Sequence, residues 1–132
     1  MAEEGQAERT YTALVVDDVN EIRFLLTEVL SMSGRFEVVG EAGDGLQAID
    51  EAGRHEPDIV LLDLSMPKMD GLEALPQILS ASPGSKVIVL SGFEEKRLGA
   101  IAIERGASAY LEKGVHPNDL VREVLSVLEG AQ

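Results

Sequence analysis

Five short apolar runs rich in β-branched residues recur along this chain, separated by segments with helical periodicity: Leu14 to Val16, Phe36 to Val39, Ile59 to Leu62, Val87 to Leu90 and Ala109 to Leu111. Strands alternating with helices at this spacing build a parallel sheet, because each crossover helix returns the chain to the start of the next strand. Two of the runs, Ile59-Val60-Leu61-Leu62 and Val87-Ile88-Val89-Leu90, show no polar alternation. A strand covered on one face alternates, whereas a strand covered on both becomes continuously apolar. The predicted fold class is therefore α/β, a doubly wound five-stranded parallel sheet.

The intervening segments carry helix signals of unequal strength. Ile22, Leu25, Leu26, Val29 and Leu30 fall at i, i+3, i+4, i+7 and i+8, one apolar stripe of a first helix that Gly34 can end. A second helix is expected from about Gly45 to Ala52, with Leu46 and Ile49 inward and Gly53 as its stop. A third begins near Gly71 and carries Leu72, Leu75, Ile78 and Leu79; Pro76 inside it predicts a kink or a late start. The fourth runs roughly from Glu95 to Arg105 and contains Gly99, and the fifth opens at Pro117 and presents Leu120, Val121, Val124, Leu125 and Leu128. Gly40-Glu41-Ala42-Gly43-Asp44-Gly45 lacks the glycine spacing of a dinucleotide loop and is predicted to be a strand-to-helix turn.

A length of 132 residues fits one domain. Met1 to Thr10 is polar and acidic, without the basic start and apolar centre of a secretory signal, so residues 1–10 are expected to be a disordered tail and 11–132 the domain. No apolar stretch approaches the roughly 20 residues of a membrane span. The absence of cysteine excludes a disulfide framework, thiolate metal sites and a cysteine nucleophile, and a cytoplasmic location is expected. A net charge of −13 opposes direct binding to nucleic acid, which rests on Lys and Arg contacts to phosphate. Any metal site must be oxygen-rich.

Polar groups capable of such chemistry stand where the apolar runs stop. Asp17 and Asp18 end the first, Asp63 the third and Ser91 the fourth, and Lys113 lies just past the fifth. In an open parallel sheet, ligands bind outside the carboxyl ends of the strands, where the strand order reverses. With the order 2-1-3-4-5, the strands carrying the three carboxylates are neighbours. Carboxylates about 4 Å apart repel by roughly 4 kcal/mol at an effective dielectric near 20, enough to raise a pKa or recruit a cation. Oxygen-only donors in a small cluster favour Mg²⁺, which accepts one or two carboxylates together with a substrate phosphate. Lys113 and the Ser91 hydroxyl supply the charge and the donor that phosphoryl oxygens need, and a carboxylate beside the metal can attack phosphorus.

Each residue also has an ordinary structural use. Asp18-Val19-Asn20-Glu21 matches a capping box before the first helix, so Asp18 taken alone slightly favours a cap over a ligand. His55 is expected at the surface and His116 at a helix start, neither with a chemical role. Asp63, Ser91 or Lys113 alone would be a turn residue, a loop hydroxyl or a solvated lysine. Their coincidence at matching strand ends carries the inference.

Leu14-Val15-Val16-Asp17-Asp18, Asp63-Leu64-Ser65-Met66-Pro67-Lys68-Met69-Asp70-Gly71, Ser91-Gly92 and Ala107-Ser108-Ala109-Tyr110-Leu111-Glu112-Lys113 together resemble the receiver domain of two-component response regulators, over about Tyr11 to Glu129. The resemblance implies a (βα)₅, flavodoxin-like fold. It implies that Asp63 accepts a phosphoryl group from a histidine kinase or phosphotransfer protein, and that Asp17 and Asp18 hold Mg²⁺ with Asp63 and the backbone carbonyl of Ser65. It further implies that Ser91 is drawn to the phosphoryl oxygens and Tyr110 follows, altering the face of helix four, strand five and helix five. The pattern is most similar to receivers that precede a helix-turn-helix DNA-binding domain, which would make this chain a fragment, and phosphorylation-dependent homodimerisation is a further expectation. Many receivers place a cis proline after the lysine; here Gly114 follows, and a cis bond without proline costs about 2.5 to 4 kcal/mol, so a trans bond with unusual angles at Gly114 is predicted. Two rivals stand beside this reading: an acidic interaction module that works without phosphoryl transfer, and a flavin-binding electron carrier on the same fold. An acidic strand-end cluster, two tyrosines and no tryptophan argue against the flavin.

Overall fold

The computed structural model describes residues 9–66, 69–92 and 96–130. Most of the expected N-terminal tail, together with Pro67, Lys68 and Glu95, lies outside them. Five strands, β1 (Tyr11–Val16), β2 (Phe36–Ala42), β3 (Ile59–Asp63), β4 (Lys86–Ser91) and β5 (Ala109–Glu112), alternate with α1 (Asn20–Met32), α2 (Gly45–His55), α3 (Gly71–Ala81), α4 (Lys96–Glu104) and α5 (Pro117–Glu129). The sheet is parallel, in the order β2-β1-β3-β4-β5. Each predicted apolar run lies within one of these strands.

Continuous apolarity in the strands is explained by the two cores. Leu14, Val16, Val60, Leu62, Val87 and Val89 point to the face covered by α2, α3 and α4, where Ala48, Ala52, Leu75, Ile78 and Ala102 meet them. Their sequence neighbours Ala13, Val15, Leu61, Ile88 and Leu90 point to the other face, under Leu30 of α1 and Leu120 and Val124 of α5. Side chains alternate across a strand, so both parities must be apolar when both faces are buried.

Several helix details differ from the sequence expectation. Of the α1 stripe only Leu30 is fully buried, and Leu25 is 60% exposed. Helices α1 and α5 do not close over one another there, and leave an open apolar recess of about 420 Å³ that Ile22, Leu25, Leu26 and Val29 line from one side. Leu46 likewise faces solvent at 58% exposure, whereas Ile49 is packed against the core. Gly53 does not stop α2; the helix continues to His55 and ends at Glu56, in the left-handed region at φ 45°. Helix α3 starts at Gly71, without delay, because the Asp70 side chain accepts from the Glu73 amide at 3.0 Å, and it runs through Pro76 to Ala81. The Gly40 to Gly45 segment is a strand end and turn, with Asp44 capping α2 through the Gln47 amide. His116 caps α5, its Nδ1 accepting from the Asn118 amide, and His55 pairs with Glu51 at 3.2 Å. Among the described residues, no helix is long and apolar enough to cross a membrane.

Candidate functional site

Where β1 ends, the Asp17 amide still donates to the Ala42 carbonyl of β2, holding the residue in the sheet as the chain turns away. The Asp17 carboxylate is wholly buried, and its Oδ1 accepts from the Val19 amide at 2.9 Å. The residue at the N-cap of α1 is Val19, with no side-chain cap bond, so the expected capping box at Asp18 does not form. Asp17 faces inward and holds the Val19 amide, and Asp18 is exposed beside it. Asp63 ends β3, pairs in register with Leu90, and is also wholly buried. Its Oδ1 accepts from the Ser65 amide at 3.1 Å and from Lys113 Nζ at 2.9 Å.

Lys113 reaches this point because its own amide donates to the Ser91 carbonyl at 2.8 Å, extending the β4 and β5 pairing one residue past the strand. Its ammonium also lies 3.8 Å from Asp17 Oδ2. The peptide bond to Gly114 is trans and Gly114 has φ +91°, as predicted; only glycine takes that angle without strain. Ser91, the last residue of β4, is fully buried. Tyr110, on β5, is half-buried against the α2, α3 and α4 side of the sheet. All the side chains singled out at strand ends thus stand at one edge of the sheet, and ligand oxygens of Asp17, Asp18 and Asp63 lie within 4.8 Å of one another.

Electrostatics at this edge are unbalanced. Burial raises the Asp63 pKa to about 6 and Asp17 pushes the same way, against the Lys113 and Ser65 hydrogen bonds. Among the described residues, Asp17 Oδ2, Asp63 Oδ2 and Ser91 Oγ are buried without a hydrogen-bond partner. Buried oxygens are rarely left so, since each costs about 1 to 3 kcal/mol. Three carboxylates against one ammonium leave two negative charges, the complement of a divalent cation. An all-oxygen donor set with unused lone pairs fits Mg²⁺.

Sequence patterns do not reveal one further participant. Arg23 of α1 donates through one terminal nitrogen to the Asp17 carbonyl at 2.6 Å, through the other to Asn20, and through Nε to Glu41 at 3.1 Å. It ties the loop that carries Asp17 and Asp18 to the end of β2. The only signal for it in the sequence is a lone arginine, six residues after Asp17, within an otherwise apolar stretch of helix.

The family model described as response regulator receiver domain matches residues 13–125. The chemotaxis protein CheY of Listeria monocytogenes is 40% identical over 118 residues, which are 89% of this chain and 95% of that one. The nitrate/nitrite response regulator protein NarL of Escherichia coli is 36% identical over 119 residues, 90% of this chain; the match spans only 55% of NarL. Among solved structures, the signal receiver domain of the putative response regulator NarL from Mycobacterium tuberculosis superposes with a TM-score of 0.86 at 33% identity, covering 92% of this chain and 98% of that one. With the sheet order and the strand-end cluster already in place, this chain belongs to the response regulator receiver domain family.

Proposed function

We propose that this receiver is a phosphorylation-dependent switch in which Asp63 accepts a phosphoryl group from a phosphohistidine of a histidine kinase or phosphotransfer protein. The observation that carries the reading is the convergence of Asp17, Asp18 and Asp63 within 4.8 Å, with Lys113 Nζ 2.9 Å from Asp63. In the transfer, a bond forms from an Asp63 carboxylate oxygen to phosphorus as the bond from phosphorus to the donor nitrogen breaks. The electron pair stays on the departing imidazole.

Asp17, Asp18, Asp63 and the Ser65 carbonyl would hold Mg²⁺, which when bound screens the negative charge gathering on the phosphoryl oxygens. Lys113 supplies a second, fixed positive charge, and the unpartnered Ser91 hydroxyl is the donor for a phosphoryl oxygen. Ser91 and Tyr110 sit on adjacent strands, with Val89 opposite Tyr110 and Ser91 opposite Glu112. Movement of Ser91 toward the new anion is therefore relayed to Tyr110 and the face of α4, β5 and α5. The receiver would control an output domain or partner, including a helix-turn-helix DNA-binding domain, and its phosphorylated form would pair with itself.

Incubation with Mg²⁺ and a small phosphodonor, followed by intact mass measurement, tests the reading. One added phosphoryl group, lost on chelation of the metal and in Asp63→Asn, is expected. An unchanged mass, with partner binding retained by Asp63→Asn, would favour an interaction module that never transfers phosphate.

A further inference from the structure

Gly99 stands within α4 and is buried, although Arg97 and Ala100 nearby on the same helix are exposed. A Cβ built on it would lie 2.5 Å from both Cγ and Cδ1 of Tyr110 and 2.8 Å from Cδ2. Those three atoms are the base of the phenol ring, where it joins its own Cβ. Turning the ring about χ2 leaves Cγ in place and makes no room. Only a change of χ1, or a retreat of α4 from β5, removes the collision. Glycine weakens the interior of a helix, and α4 has only nine residues. Its backbone does not ask for one, since Gly99 is not among the positive-φ glycines. What the missing side chain provides is a seat for the Tyr110 ring on bare backbone.

We propose that Gly99 is the positioning residue for Tyr110: the empty side of α4 holds the ring in its unphosphorylated place, and filling it drives the ring toward its phosphorylated one. The proposal deepens the switch reading above and rests on it. In the unmodified protein the ring is held by contact with α4 while the Ser91 hydroxyl, one strand away, has no partner. Phosphorylation offers Ser91 a partner and gives Tyr110 a second place to stand. Removing the first place by substitution biases the same equilibrium from the other side, so the site should bind a phosphoryl mimic more tightly.

Tyrosine is present only at positions 11 and 110, so incorporation of fluorotyrosine gives two ¹⁹F resonances, with buried Tyr11 at the start of β1 as the internal reference. Beryllofluoride with Mg²⁺ serves as the phosphoryl mimic. In the parent chain the mimic should move the Tyr110 signal; absence of binding would overturn the switch reading, and the seat with it. In Gly99→Ala without the mimic, the Tyr110 signal should already lie toward the mimic-bound position, and beryllofluoride should bind about fivefold tighter or more, the low end of common coupling factors. A Tyr110 signal and affinity unchanged from the parent would overturn the seat alone. Ala100→Gly, which alters helix propensity on the exposed side, should leave both readouts unmoved; an equal shift there would also overturn it. If Gly99→Ala folds poorly, Tyr110→Ala in the same chain should restore folding, and failure to do so would place the strain elsewhere and sink the proposal.

Discussion

Asp63 is fully buried and has an ammonium 2.9 Å away, yet burial outweighs the cation and its pKa stands at about 6 rather than near the ordinary 3.8. A carboxyl whose pKa is higher in the folded than in the unfolded state is favoured protonated by folding, so stability is lost as pH rises from about 4 through 6. Without Mg²⁺, Asp63→Asn should therefore be more stable than the parent at pH 7.5, by up to about 3 kcal/mol, since each tenfold change in proton affinity is worth roughly 1.4 kcal/mol. The gap should close toward pH 4. Urea titrations at the two pH values check this, and a gap that ignores pH would contradict the burial argument. Lys113→Ala removes one of the groups holding that pKa down, and also the charge proposed to face the phosphoryl oxygens. Phosphorylation by a small donor should slow by roughly 10² to 10³, the usual cost of losing one such donor.

At the scale of elements, α1 separates what periodicity can reveal from what it cannot. The i, i+3, i+4 spacing locates the helix and its apolar side, because those follow from 3.6 residues per turn. How much of that side is covered depends on the distance to α5, which no local pattern encodes. Leu30→Ala, at a fully buried position, should cost about 2 to 5 kcal/mol, whereas Leu25→Ala, at 60% exposure, should cost less than about 1 kcal/mol. Equal losses in thermal denaturation would mean that the recess between the helices is closed in solution. Helix α2 outruns its expected end because a helix interior tolerates one glycine at a cost of about 1 kcal/mol, and the left-handed residue that ends it is Glu56 rather than Gly53. Asp18 does not cap α1 because the helix begins one residue later than the pattern implies, with Val19 at the N-cap. The strand-end site is legible in the sequence because a parallel sheet brings every strand's carboxyl end to one edge, whatever the loops do. Arg23 is not, since beyond Asn20 on its own helix its partners are a backbone carbonyl and a glutamate of β2.

For the whole molecule, the site's excess negative charge makes the unliganded fold less stable than its packing allows. If the native cluster holds Mg²⁺ as proposed and the unfolded chain holds little, millimolar Mg²⁺ should raise the melting temperature, by the equivalent of about 2.7 kcal/mol at a hundredfold excess over Kd. Asp17→Asn should abolish most of that rise; a rise that survives would place the ion elsewhere. The same arrangement underlies the proposal that one carboxylate among 24 acidic side chains becomes an acyl phosphate. Borohydride reduction of the protein after treatment with Mg²⁺ and a phosphodonor converts an acyl phosphate to an alcohol, which peptide mapping locates. The alcohol should appear at position 63 alone, and its appearance at any other acid, or at none, would contradict the account.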